Sequence, residues 1–195
     1  MVDLKDVFLE EAGPDERPGG LLREILSFAG YVVFVIVFTY LVVHYVGQRT
    51  EVVGYSMYPT LNNGDNLLVD KLTYRFSEIE RFDIVVFEYQ HEENCYYIKR
   101  VIGLPGETVQ IVGDEIFING EVLEENYGYE AMENAGLAAE PVVLGKDEYF
   151  VLGDNRNDST DSRDPRVDKV TRDIIAGKAF VRIYPFNKMG FLHHD

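Results

Sequence analysis

At 195 residues, 46% apolar and 13% aromatic, the chain has room for one compact domain plus an appended segment, and it is too apolar to be a disordered chain. A formal net charge of −16 argues against nucleic-acid binding, because an acidic surface repels phosphate, and it gives no attraction to anionic lipid headgroups. Its direct consequence is solubility.

Residues 1–24 read as a mobile polar tail with Pro14, Pro18 and the Gly19-Gly20 pair. From Ile25 to Gln48 there is no Asp, Glu, Lys or Arg, and the core of this stretch, residues 25–46, is ILSFAGYVVFVIVFTYLVVHYV. As a helix, such a segment spans roughly 33 Å, enough to cross a bilayer core of about 30 Å. A cleaved signal peptide has a shorter apolar run followed by small residues, whereas Gly-Gln-Arg-Thr-Glu-Val follows here; a transmembrane anchor is the expectation. The charge rule does not orient it, since Arg23 on one side faces Arg49 on the other.

From residue 47 to 195 the pattern changes to short β-like runs separated by turn residues. Strands are expected near Glu51–Val53, Asn66–Val69, Ile84–Phe87, Tyr96–Ile102, Thr108–Val112, Glu115–Ile118, Glu121–Leu123, Glu148–Leu152 and Ile174–Ile183. Asn119-Gly120, between two such runs, is a hairpin signal because both turn residues need positive φ. Residues 124–147 break the pattern and read as a loop excursion with a short helix. Many short strands without a long amphipathic helix between them argue for an all-β, antiparallel domain.

Five serines are candidates for a nucleophile: Ser27, Ser56, Ser77, Ser159 and Ser162. Ser56, in GYSMYPTL, follows a strand-like run, with Gly54 allowing a close backbone approach and Pro59 stiffening the turn. An ordinary turn serine has the same local signature. A serine needs a partner to take its proton. His44 lies in the apolar segment, His91 in a charged loop, and His193 and His194 at the C-terminus, none in a triad-like setting. A lysine can serve only if desolvation lowers its pKa.

Of the seven lysines, Lys99 has the most apolar surroundings, in CYYIKRVIGLPG. Strand alternation puts Tyr97, Lys99 and Val101 on one face and Ile98, Arg100 and Ile102 on the other. A lysine snorkelling from a sheet edge remains the competing reading. A third segment, VLGDNRNDSTDSRDPR at 151–166, packs alternating charges around Ser159 and Ser162 and reads as a solvated turn or as a rigid polar platform. DNRND lacks the glycine and distal glutamate of an EF-hand loop, so no metal is expected. Cys95 is the only cysteine; it excludes an intrachain disulfide and reads as a structural thiol.

Together these segments resemble the bacterial type I signal peptidases. An apolar anchor is followed in order by SMYPTL (Ser56–Leu61), RFDIVVF (Arg81–Phe87), YIKRVIGLPGE (Tyr97–Glu107) and GDNRNDSTDSR (Gly153–Arg163). The resemblance implies an antiparallel β-sheet catalytic domain of the signal-peptidase/LexA-like type, preceded by one transmembrane helix. It implies Ser56 as nucleophile and Lys99 as general base. It further implies Ser159 hydrogen-bonded to the lysine amine, Asp161 with Arg163 as a supporting ion pair, and Arg100 with Asp154 bracing the sheet. Val52, Leu67, Val86, Tyr97 and Ile98 would line shallow apolar pockets. Some family members carry a serine hydroxyl two residues before the nucleophile to help hold the oxyanion; that position is Gly54 here.

The implied function is removal of N-terminal signal peptides from exported preproteins by a single-pass, monomeric enzyme of the cell membrane. Its tail would be cytoplasmic and its catalytic domain extracytoplasmic. Signal peptides and the lipid bilayer are the expected partners; no cofactor and no nucleic acid are expected. Two other readings are a soluble self-cleaving repressor, against which the anchor and charge count, and a catalytically silent tethered adaptor, against which Ser56 and Lys99 count.

Overall fold

The computed structural model describes residues 20–45 and 47–192, with side chains for all of these except residues 20–22, 41–45 and 75. The expected tail lies outside the described residues up to position 19, as do His193 and His194.

Helix α1 runs Gly20–Tyr45. It begins before Ile25, where the apolar run starts, because Leu21, Leu22, Arg23 and Glu24 are all good helix formers and carry the helix back towards Pro18. Its 26 residues span about 39 Å. The stretch Arg23–Tyr40 is long and apolar enough to cross a membrane, and its side chains have no cover.

Residues 42–192 form, by themselves, a compact unit of antiparallel sheets. The strands are β1 (Gly47–Glu51), β2 (Asn66–Asp70), β3 (Ile84–Glu88), β4 (Tyr96–Gly103), β5 (Thr108–Val112) and β6 (Glu115–Ile118). They continue with β7 (Glu121–Val122), β8 (Val142–Val143), β9 (Glu148–Leu152), β10 (Val170–Thr171), β11 (Ile175–Tyr184) and β12 (Gly190–Phe191). The larger sheet has the order β1-β2-β11-β3-β4-β9-β10, with β12 added to β11; the smaller is β7-β6-β5-β8. Asn119 and Gly120 do turn the β6–β7 hairpin, with φ of 53° and 85°.

Three differences from the expected strands have physical causes. The first strand ends at Glu51 instead of starting there. Val52 leaves the β1–β2 ladder to exchange backbone hydrogen bonds with Asp65 and Gly64, and Gly54 then turns the chain at φ 99°. The expected excursion contains a 3₁₀ turn at Gly136–Ala139 and the two-residue strand β8. Strands β8, β10 and β12 are each two residues long, too short for alternation to announce them, and β8 and β10 are held by partners more than twenty residues away in sequence.

Alternation along β3, β4 and β9 fills separate apolar clusters on the two faces. Val85, Phe87, Val101, Tyr149 and Val151 fill one with Ile79 and Val170. Ile102, Phe150 and Leu152 pack against Val109, Ile111, Ile116 and Ile118 of the smaller sheet. A third cluster of Val52, Met57, Leu61, Leu67, Ile84 and Ala179 underlies the turn that carries Ser56. Completely burying one such aliphatic side chain contributes about 1.5–3 kcal/mol, so this turn is anchored from below by Met57 and Leu61.

Candidate active site

Ser56 sits on the turn after β1, fixed on several sides. The Gly54 N–H donates to Asn63 Oδ1 at 2.9 Å. The Ser56 carbonyl accepts from the Asn155 N–H at 3.0 Å, and Tyr55 O accepts from Asn155 Nδ2 at 3.2 Å. These last two bonds tie the turn to the loop after β9. That approach requires Gly153: a Cβ there would collide with the Ser56 carbonyl oxygen and with Ser159 Oγ.

Lys99 comes from the middle of β4, opposite Val85 of β3. Its side chain is 3% exposed. Nζ lies 2.8 Å from Ser56 Oγ and donates to Ile98 O at 3.0 Å. The amine also lies 5.1 Å from the centre of the Tyr97 ring. Burial lowers the Lys99 pKa from the ordinary lysine range to about 8, against the opposing pull of Asp161 and Asp154. Desolvation therefore outweighs two nearby carboxylates, and near pH 8 half of the amines are neutral and able to accept a proton.

Asp161 and Arg163 form a buried bidentate pair, Nε–Oδ1 and Nη2–Oδ2 each at 2.8 Å. Asp161 Oδ2 also accepts the Gly153 N–H at 3.0 Å, so the pair holds the strand-to-loop junction beside Ser56. Arg100 and Asp154 make a second bidentate pair, at 2.8 and 2.7 Å, with both side chains 1% exposed. The Arg100 guanidinium also lies 3.7 Å from the Tyr127 ring centre. Removing one member of such a pair leaves an uncompensated buried charge, typically a loss of about 3–5 kcal/mol.

Ser159 departs from its expected contact. Its Oγ is buried beside Gly153 and has no hydrogen-bond partner among the described residues; the Lys99 amine is engaged with Ser56 and Ile98 instead. Tight packing of Ser159 over Gly153 fixes its position without directing its hydroxyl at the amine.

A cleft of about 670 Å³ opens onto the Ser56–Lys99 pair. Val52, Gly54, Val86, Tyr97 and Ile98 line it. Leu67 does not: it is fully buried in the cluster beneath Val52, because the alternation of β2 turns it inward. Ser159 borders the cleft, whereas Asp161 and Arg163 stand behind it. The walls also include Tyr96, Asn157, Thr160 and the carboxylates Glu51 and Asp158, both in exposed positions, so the rim is more acidic than its motifs suggest. The sequence does hint at Asn157 and Thr160, which flank Ser159 in the charged loop. Nothing local marks Glu125, whose ion pair with the buried Arg156 at 2.8 Å pins the excursion to that loop.

With a Ser–Lys pair, its lysine buried, at the end of a β-walled cleft, comparison with known proteins becomes informative. The family described as signal peptidase, peptidase S26, matches residues 25–184. The chain belongs to this family. It is 41% identical over 155 residues to a signal peptidase I of Leptolyngbya laminosa, covering 76% of this chain and 74% of that protein. It is 35% identical over 179 residues to signal peptidase I S of Bacillus subtilis, covering 86% and 93%. Among solved structures, a signal peptidase I from Enterococcus faecalis is 33% identical, with a TM-score of 0.45, covering 52% of this chain and 97% of that one. As a member of the family, the chain is a serine peptidase of the S26 type.

Proposed function

We propose that this protein is a membrane-anchored endopeptidase that removes N-terminal signal peptides from exported preproteins, with Ser56 as nucleophile and Lys99 as general base. The observation that carries the reading is the 2.8 Å approach of Lys99 Nζ to Ser56 Oγ, made by an amine that burial keeps near pKa 8.

In this reading Ser56 Oγ attacks the scissile carbonyl carbon as its proton passes to Lys99. The tetrahedral intermediate collapses, the Lys99 ammonium returns the proton to the leaving amine, and the mature protein departs. The signal peptide stays as an ester on Ser56. Lys99, neutral again, takes a proton from water, whose oxygen attacks the ester; the ammonium then returns that proton to Ser56 Oγ as the acyl–oxygen bond breaks and the signal peptide leaves. Gly54 supplies no hydroxyl to the oxyanion, so the backbone N–H of Ser56 is the donor assigned to it. Asp161 with Arg163, and Arg100 with Asp154, hold the loop and the strand in register. The test is incubation of the detergent-solubilised protein with a purified preprotein, with conversion to the mature length read on a gel. No conversion by the folded wild-type protein would overturn the reading.

Residues 25–46 anchor the enzyme, residues 1–24 lie in the cytoplasm, and residues 47–195 form the extracytoplasmic catalytic domain, where emerging preproteins meet it. Protease added to intact spheroplasts is expected to degrade the catalytic domain and spare the tail. A protected catalytic domain would reverse the orientation.

A further inference from the structure

A run of aromatic rings leads from the exposed tip of the β3–β4 hairpin to the Lys99 amine. His91 meets the Tyr89 ring edge-on, with centroids 5.5 Å apart. Tyr89 lies flat on Tyr97, at 4.4 Å and 11° between planes. Tyr97 packs edge-on against Phe87 at 6.1 Å and lies 5.1 Å from Lys99 Nζ. Tyr97 is a wall of the cleft, whereas Tyr89 is not part of the lining. The hairpin is closed beneath the stack by the Tyr89 N–H donating to Cys95 O at 2.8 Å.

We propose that Tyr89 is a positioning residue of the active site: by stacking on Tyr97 it holds that ring against the Lys99 amine and keeps water from it. The proposal rests on the Ser56–Lys99 reading. An offset ring pair of this kind favours one setting of Tyr97 by roughly twofold to tenfold. Phe87 and its apolar cluster brace Tyr97 from one side, so without Tyr89 the ring loses the support of its flat face.

Two effects of Tyr97 on the lysine oppose each other. Its π-face attracts a cation and favours the ammonium, while its bulk excludes water and favours the neutral amine. Lys99 lies below the ordinary lysine value with burial as the leading cause, so exclusion of water wins. Releasing Tyr97 therefore moves the lysine upward. The other charged or titratable groups facing these residues are Asp161 and Asp154 towards Lys99, and Arg166, Cys95 and His91 towards the two phenols. Arg166 is held by Asp164 through contacts of 2.9 and 2.6 Å. Burial, with Tyr89 adding to it, raises the Tyr97 phenol above its ordinary value, so Tyr97 stays neutral wherever the lysine titrates.

The experiment compares kcat/KM against pH for the full detergent-solubilised chain, as wild type, Tyr89→Ala, Tyr89→Leu and Tyr89→Phe, with Lys99→Ala as a control. The acid limb of Tyr89→Ala is expected to move up by about one pH unit, a loss of about tenfold at pH 7 that closes towards pH 10. Tyr89→Phe keeps the ring face and should follow the wild-type limb. Tyr89→Leu, which keeps apolar bulk without a face to stack, should shift in the same direction as alanine. Rates of Lys99 acetylation against pH read the amine's pKa without turnover and cover any variant of low activity. An unmoved limb in Tyr89→Ala, or a loss that is equal at every pH, overturns the proposal. An active Lys99→Ala would instead refute the dyad reading on which it rests.

Discussion

Ser56→Ala and Lys99→Ala are each expected to lower kcat/KM on a preprotein by roughly four to six orders of magnitude, with the double variant no worse than either single one. The non-additivity follows from the geometry. Lys99 Nζ serves Ser56 Oγ directly at 2.8 Å, so an amine without the hydroxyl, or a hydroxyl without the amine, does nothing more than neither. Ser56→Ala removes one oxygen from a half-buried residue and leaves the anchoring of the turn by Met57 and Leu61 intact. Circular dichroism of that variant should match the wild type. His91→Ala should remain active, because His91 is exposed at a hairpin tip and contacts Tyr89, not the dyad. An inactive His91→Ala beside an active Lys99→Ala would replace the mechanism.

Substrate selection is the second large effect. An extended substrate laid along a strand edge presents alternate side chains to the enzyme, so the first and third residues before the cut point the same way. The walls they meet are Val52 and Val86, each about 95% buried already, together with Tyr97 and Ile98. Little room is left between a β-branched wall and an aromatic one, and small uncharged side chains, chiefly alanine, should be required at both positions. Leucine at the first position is expected to cost about 1–3 kcal/mol, or roughly fivefold to 150-fold in rate. Aspartate should cost more, since it would be desolvated without a partner while Glu51 and Asp158 at the rim repel it. The second position points away and should tolerate most residues. With Tyr97 set as the wall of the first position and Val86 as that of the third, Val86→Ala should relax the third position before the first. A peptide series varying one position at a time measures this through kcat/KM. Equal rates with alanine, leucine and aspartate at the first position would remove the pocket account.

Legibility in the sequence followed the range of the interaction. The strand alternation of YYIKRVIG placed Tyr97 with Lys99 and sent Arg100 to the opposite face, where it meets Asp154 and Tyr127. That reading needed nothing beyond the period of a strand. The family resemblance alone places Leu67 in the cleft; the pairing of β2 between β1 and β11 turns it into the core instead. The hydroxyl of Ser159 depends on a rotamer set by packing over Gly153, which no motif encodes. The two-residue strand β8, and the grip of Glu125 on Arg156, exist only because distant segments are brought together. The stack of Tyr89 on Tyr97 belongs to the same class. Eight residues apart in sequence, the two rings become neighbours only when β3 and β4 fold back on each other.

The pH dependence of kcat/KM tests the central claim, a neutral lysine as base, most directly, because this parameter reports ionisation in the free enzyme. A Lys99 amine with a pKa of about 8 must lose its proton to act, so the rate should rise tenfold per pH unit below pH 8 and level off above it. The limb should be the same in His91→Ala. A limb between pH 6 and 7 that disappears with His91, or a flat profile down to pH 6, would contradict a lysine base.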